Sequence, residues 1–391
     1  MTQSFAGPYG RRVLFLSGPV EPPWTRSDKN LVRAVAANLQ RYRPRVLTHE
    51  GVQAPDHGVD TDPAWGPRLG GDTPLGRRIG LFTRLIENAD ASLVHLFWPA
   101  DRLVGTMVRT ACKLRNLPVV HTLVRAPRIS FGIGGALAGN PVVCLSAETE
   151  RRLAESGVRN TVQVPPGIAV GPMVPPGDKA AIRRKYRIPL DVPVVVYAGD
   201  YGHSKAARTV AAAMPRVLRQ IDCHFVWVCR IRSNEDSREE QLIQESIAAD
   251  GFGDCATFLN EVNNLREVLS IASVQVFPAD RHHEKMETPL VLLEGMAEGV
   301  ATVLATKPPL TEIVQAGAAI GIPPNDPVSL AVPVVELLRD PQRAALLGMR
   351  GRQMVEEQFD IVKVSLAYEE IYDGVMARHR NRQSGIFGKL G

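Results

Sequence analysis

VQVFPADRHHEKMETPLVLLEGMAEG, residues 274–299, is the stretch whose reading decides the fold. Val274 to Phe277 is a short apolar run with the composition of a buried strand, and Pro278 ends it. A loop dense in charge follows: Asp280, Arg281, His282, His283, Glu284, Lys285 and Glu287. Thr288 and Pro289 have the chemistry of an N-cap and a first helical position. The helix they open is apolar almost all round, with Leu290, Val291, Leu292, Leu293, Met296 and Ala297, and such a helix is normally buried. Glu294 stands in its middle. A buried carboxylate is costly unless it is hydrogen-bonded, so Glu294 needs either a structural Arg or Lys or a ligand that donates to it.

The order strand, polar loop, buried helix carrying one Glu, glycine, second short strand resembles the donor site of the retaining glycosyltransferases of family 4-like, two-Rossmann-domain (GT-B) type. Their signature is E-x7-E followed by an A-M-A-x-G-like turn. Glu294-Gly295-Met296-Ala297-Glu298-Gly299 matches its second half, while the first Glu of the signature falls on Met286. The resemblance implies that Glu294 binds the ribose hydroxyls of a nucleotide sugar. Glu287, one place along in the loop, is the expected substitute for the carboxylate missing at 286, and Lys285 the expected cation for the diphosphate.

Composition bounds the rest. The 391 residues suffice for two domains and a large core, and the 45% apolar and 22% charged content is that of a globular chain. A net charge of +5 suits a phosphate-bearing ligand as well as a solvated surface, and outside the C-terminal tail no long basic run marks a nucleic-acid partner. Five scattered cysteines without C-x-x-C point to reduced thiols and a cytoplasmic setting. No apolar run reaches membrane-spanning length, so no stable membrane insertion is expected. Adjacent His282-His283-Glu284 rarely aim at one centre, and no metal or cofactor is expected beyond the nucleotide sugar itself. Abundant Ala, Arg, Gly, Pro and Val suit a GC-rich bacterial genome.

Working outward to the first half, residues 1–10 read as a leader and Val13–Leu16 as a first strand. A loop through Trp24 leads into a helix over about 30–39. Trp24, Lys29 and Asn30 stand where the resembled family faces its acceptor, with helix start and solvent as the competing reading of Lys29 and Asn30. Residues 50–76 read as a long loop, 81–88 as a helix, 93–97 as a strand, 101–116 as a helix and 118–124 as a strand. This alternation predicts a parallel sheet. Relatives often end the last of these strands with T-x-H, whose His lies beside the sugar. Here it reads Thr122-Leu123-Val124, leaving His121 and His95 as candidates, although a lone His on an apolar strand is more often a core residue. Arg125, just past the strand, is placed where ligands bind in open α/β sheets. Phe131 to Ala136, glycine-rich but without the strand a dinucleotide fingerprint needs, reads as a mobile loop.

In the second half, residues 169–180 form a Pro/Gly linker and Val194–Ala198 restarts the βα pattern. Gly199-Asp200-Tyr201-Gly202-His203-Ser204-Lys205 has the spacing of the family's G-R-L-x3-K-G, whose Arg and Lys hold the diphosphate. Lys205 matches and Asp200 replaces the Arg, with Arg230 and Arg232, past the next strand, as replacement cations or solvated charges. Val262 falls in the loop that resembles the nucleobase reader. The helix 362–377 is expected to brace the first domain, and 378–391 to be a flexible basic tail.

The sequence therefore predicts two Rossmann-like domains, 1–168 and 181–361, facing a cleft. Lys205, Arg230, Glu287 and His121 are the expected catalytic groups. The expected donor contacts are Glu294, Lys285, Gly199, Asp200, Val262, Thr288, Pro289 and Leu290. Trp24, Lys29, Asn30, His95 and Arg125 are expected on the acceptor side. The implied reaction is transfer of a sugar, with retention, to a small soluble acceptor, in bacterial secondary metabolism; a homodimer is compatible with it. A nucleotide-sugar epimerase or phosphorylase, and a non-catalytic pseudo-transferase, are the rival readings.

Overall fold

The computed structural model describes residues 11–24, 26–53, 56, 58–65, 85, 90–129, 132–202, 204–279 and 286–387, with side chains through Arg382. The chain forms two compact units. The first holds the described residues up to Ala169, Met286 and Glu287, and everything from Asp360 on. The second holds Val170 to Ala279 and Thr288 to Phe359.

In the first unit seven strands are hydrogen-bonded side by side: β1 (Arg11–Leu16), β2 (Tyr42–Leu47), β3 (Asp60–Asp62), β4 (Leu93–Phe97), β5 (Val119–Leu123), β6 (Val142–Cys144) and β7 (Thr161–Gln163). Their order is β3-β2-β1-β4-β5-β6-β7, all parallel. β1 from Val13 on and all of β4 are buried, and both are largely apolar because helices cover a parallel sheet on both faces. The helix Arg102–Leu114 starts where Asp101 accepts from the amides of Leu103 and Val104. Ser146 does the same for Ala147–Glu155, accepting from Thr149.

The second unit repeats the plan with β8 (Val194–Gly199), β9 (His224–Cys229), β10 (Ala256–Leu259), β11 (Val274–Phe277), β12 (Ala301–Ala305) and β13 (Ile320–Ile322). The order is β10-β9-β8-β11-β12-β13, again parallel. Its core packs Trp227, Tyr197, Phe225 and Met214 on one face of the sheet and Val194, Val196 and Val226 on the other.

Several expectations need correction. The expected linker 169–180 is not a free spacer: a helix starts at Pro176, and Arg266 and Arg352 donate to the carbonyls of Pro172 and Gly171. The final helix, Ile361–Phe387, runs on through the stretch expected to be a flexible tail. The expected loop 50–76 contains β3, and β2 went unread because Pro44, Arg43 and Arg45 blur its alternation. Ile133–Ala136 is a 3-10 turn with Ile133 and Ala136 buried, and a Cβ on Gly105 would lie 2.7 Å from the Ala136 carbonyl, so this stretch is packed. Pro289, not Thr288, takes the N-cap of Leu290–Ala297, with no side-chain cap. The helix expected over 81–88 lies outside the described residues except Leu85.

The C-terminal helix belongs to the first unit and packs on β5 and on the helix Ser27–Asn38. Tyr368, Tyr372 and Glu369 on it are fully buried. Glu369 accepts from the amides of Gln40 (2.7 Å) and Arg41 (2.5 Å), the latter also pairing through its guanidinium. Ile361 donates to the Ile168 carbonyl at 2.9 Å, so the points where the chain leaves this unit and returns to it lie side by side.

Candidate functional site

In each sheet the strand order reverses once, between β1 and β4 and between β8 and β11. Open α/β sheets bind ligands beyond the carboxyl ends of strands at that point. In the second unit the loops that leave β8 and β11 carry Gly199, Asp200 and Lys205 on one side and Thr288, Pro289, Leu290 and Glu294 on the other.

Glu294 is half-buried, and among the described residues it makes no hydrogen bond or ion pair. Burial pushes its carboxyl up from the ordinary 4.5 to about 7. Glu298, one turn on, shows what a satisfied glutamate looks like here: it pairs with the Arg266 guanidinium and accepts from the Val174 amide at 2.9 Å. The helix is held to the sheet beneath it by Gln275, whose amide donates to the Leu292 carbonyl (3.1 Å) and to Thr302 Oγ1 (2.7 Å). Gly295 permits this approach, since a Cβ there would lie 2.0 Å from Gln275 Oε1. Leu290 and Thr288 are buried and Pro289 half-buried.

On the other side, Gly199 is required because the Tyr197 ring folds over it, 2.5 Å from where a Cβ would stand. The Tyr197 hydroxyl donates to the Asp200 carbonyl at 3.1 Å. Lys205 precedes the helix Ala206–Leu218, is exposed, and has no hydrogen bond or ion pair among the described residues. Arg232 reaches the Asp200 carboxylate at 2.6 Å. Arg230 is half-buried; burial first, then the charge of Arg232, lower its pKa against the partial support of Glu261. Val262 is half-buried against the apolar cluster beneath the sheet. Lys285 lies outside the described residues.

Glu287, the expected substitute for the missing carboxylate, already has partners in the first unit. It is 1% exposed and grouped with the first unit, where Thr149 Oγ1 donates to it at 2.8 Å and Ser146 Oγ makes a short contact. Met286 is buried as well.

The first unit corrects the two histidines. His95 is fully buried, with Nδ1 2.6 Å from the Tyr372 hydroxyl and Nε2 2.7 Å from Thr122 Oγ1. His121 is 1% exposed; Nε2 donates to the Trp98 carbonyl at 3.0 Å and Nδ1 accepts from the Ala138 amide at 3.1 Å, which fixes the neutral tautomer. Burial lowers both pKa values, that of His121 to about 4. Both are core residues because each ring nitrogen is already used inside the sheet.

The loop after β1 presents a different cluster. Lys29 donates to the Glu21 carbonyl at 2.8 Å and so secures that loop. Asn30 donates to the Trp24 carbonyl at 3.2 Å, while its own Oδ1 is buried without a partner. The Trp24 ring lies under the Arg33 guanidinium at 4.3 Å. Burial would raise the Asp28 carboxyl, but Arg26, the Lys29 amide and the charge of Arg125 leave it lowered. Arg125 itself is half-buried, with no hydrogen bond or ion pair among the described residues. Asp28 and Arg26 were not singled out from the sequence, because nothing local marks them.

Among the described residues there is no group of three metal-ligating side chains and no helix long and apolar enough to cross a membrane. Two Rossmann-like parallel sheets, each with one switch point, define an α/β protein of GT-B fold. Residues 192–340 match the family model described as "Glycosyl transferases group 1". N-acetyl-alpha-D-glucosaminyl L-malate synthase of Bacillus anthracis is 24% identical over 205 residues, 52% of this chain and 51% of that protein. D-inositol 3-phosphate glycosyltransferase of Geodermatophilus obscurus is 24% identical over 320 residues, 74% of this chain and 69% of that one. The chain thus spans about half of the first relative and just over two thirds of the second. The fold is similar to that of Anabaena HepE, solved in complex with UDP-glucose, at a TM-score of 0.74 and 15% identity over 93% of this chain and 99% of that one. Over residues 192–340 the chain is thus similar to group 1 glycosyltransferases, and its fold is the GT-B fold of HepE.

Proposed function

We propose that this chain transfers a sugar, with retention, from a nucleoside-diphosphate sugar to a small anionic acceptor. The observation that carries this reading is Glu294, a carboxylate kept in an apolar helix at the switch point with no partner among the described residues. Such a group is costly to hold unless a ligand donates to it, and the vicinal hydroxyls of a ribose do so. HepE has been solved with UDP-glucose, so UDP-sugars are the first donors to test. Negative charge grows on the departing diphosphate, and Lys205 and Arg230 supply the opposing charge. The amides near Thr288 face the same group.

The acceptor side rests on Trp24, Asn30 and Arg125. Arg125 offers a half-buried guanidinium, and the two curated relatives are named for malate and inositol 3-phosphate, both anionic. A role in bacterial secondary metabolism, a cytoplasmic setting and a homodimer accompany this reading. Incubation with UDP-, GDP- and ADP-sugars, with and without hydroxy acids and polyol phosphates, tests it. Acceptor-dependent release of nucleoside diphosphate with a retained anomer is expected. An altered sugar on an intact nucleotide would mean epimerisation instead.

A second reading, a pseudo-transferase that binds a nucleotide sugar without turnover, is favoured by one observation. Met286 fills the place of the first signature Glu, and Glu287 is engaged by Ser146 and Thr149. Binding with no product from any donor–acceptor pair would decide for it.

A further inference from the structure

Asp200 lies at the end of β8, where it pairs with Arg232, while the carboxylates of Asp236 and Glu240 are bound to the neighbouring Arg232 amide and Tyr201 hydroxyl. Its surroundings fix it closely. The Tyr197 hydroxyl donates to its carbonyl, and the next residue, Tyr201, is buried with its hydroxyl donating to Glu240 Oε1 at 2.9 Å. Arg232, from the loop after β9, is fixed at its backbone, where its amide donates to Asp236 Oδ2 at 3.0 Å. Its guanidinium meets the Asp200 carboxylate at 2.6 Å and still leaves 48% of the side chain exposed. A guanidinium has five N–H donors, and this one keeps most of them for another acceptor. Arg230, two residues earlier, is close enough for the two guanidinium charges to oppose each other. An anion that accepts from both removes that repulsion.

We infer that Asp200 is a positioning residue which holds Arg232 toward the donor diphosphate, so that the second phosphate cation comes from the loop after β9 and joins Lys205. This rests on the nucleotide-sugar reading above. A carboxylate behind a guanidinium orients its remaining donors for bidentate phosphate recognition. An exposed ion pair serving stability alone is worth little, so it gives no comparable reason for an acid here.

The test uses calorimetric titration of the full chain with UDP, GDP and ADP, and with the matching nucleosides as phosphate-free controls. Arg232→Ala is expected to weaken the preferred diphosphate about 10- to 100-fold and to leave its nucleoside unchanged. Asp200→Asn is expected to weaken it less, about 3- to 10-fold, and Arg232→Ala added to Asp200→Asn to cost less than it does in the parent chain. Asp200→Arg with Arg232→Ala returns a cation to the loop after β8 and is expected to recover most of the lost affinity. Thermal unfolding of each variant is followed in parallel. A variant set that changes only the melting temperature, or lowers nucleoside and diphosphate affinity equally, overturns the inference and leaves the donor reading standing. A parent chain that binds none of the three diphosphates overturns both.

Discussion

Glu294→Gln removes a charge while keeping the shape of the side chain, and its effects on stability and on binding have opposite signs. In the folded chain the carboxyl titrates at about 7 against an ordinary 4.5, with burial as the cause. Between those values the folded state keeps a proton that the unfolded state gives up, so stability falls as pH rises through the window. At about 1.4 kcal/mol per pH unit, the full cost above neutrality is about 3 kcal/mol, an upper figure for a half-buried group. Glutamine stays neutral. The variant is therefore more stable than the parent by up to about 3 kcal/mol near pH 8, and close to it near pH 4.5. Binding runs the other way. A charged acceptor contributes about 1.5–3 kcal/mol per hydrogen bond and a neutral one about 1, so the variant should hold UDP-glucose roughly tenfold or more weakly near pH 8.

UDP-glucose is the better probe, because the terminal phosphate of free UDP itself titrates near pH ~6. Parent affinity should rise up to about tenfold per pH unit and level off above about 7, while the variant's profile stays flat. Chemical denaturation near pH 5 and pH 8 and calorimetry across the same range give both numbers. A variant that is no more stable than the parent near pH 8, or that binds UDP-glucose with the parent's affinity and profile, refutes the argument.

Lys205→Ala should lower turnover on the order of hundreds-fold with a smaller loss of donor affinity, measured by steady-state kinetics; near-normal turnover would move the role to the arginines after β9. Arg266→Ala leaves the buried Glu298 carboxylate with the Val174 amide and should cost about 2–4 kcal/mol by denaturant midpoint, an unchanged midpoint counting against it. Gly295→Ala drives a methyl group into Gln275 and should destabilise the second unit, and Gln275→Ala in the same chain should recover part of the loss. For His121 the folded pKa of about 4 lies below the ordinary 6.5, so the unfolded state protonates first and stability falls as pH drops through that window, by about 3 kcal/mol in full. His121→Asn should flatten that acid limb, and an unaltered slope would show that other groups set it.

The strand–loop–helix from Val274 to Gly299 was legible because its chemistry is local: an apolar run, a proline stop, and an apolar helix with one acid. The same holds for β8. What the sequence hid depends on contacts made across the fold. Nothing near Glu287 announces the hydroxyls of Ser146 and Thr149, 141 and 138 residues away, that its carboxylate meets. His95 and His121 look alike in sequence whether they face a ligand or, as here, a tyrosine and a backbone carbonyl. The Pro/Gly stretch after Ala169 suggested slack, and the arginines that fasten it lie about a hundred residues or more further on.

The placement of the last helix sets an order of events during synthesis. The sheet of the first unit begins in the chain before that of the second, yet Tyr368, Glu369 and Tyr372, which complete its interior, follow every strand of both units. Until they emerge, Thr122, His95 and the amides of Gln40 and Arg41 wait without the groups that satisfy them. The second unit, whose strands all lie between Val194 and Ile322, has its whole sheet in hand earlier. Of the two units, the one begun first is thus completed after the other, and a nascent chain halted before Ile361 carries a first sheet still open and a second one that can close.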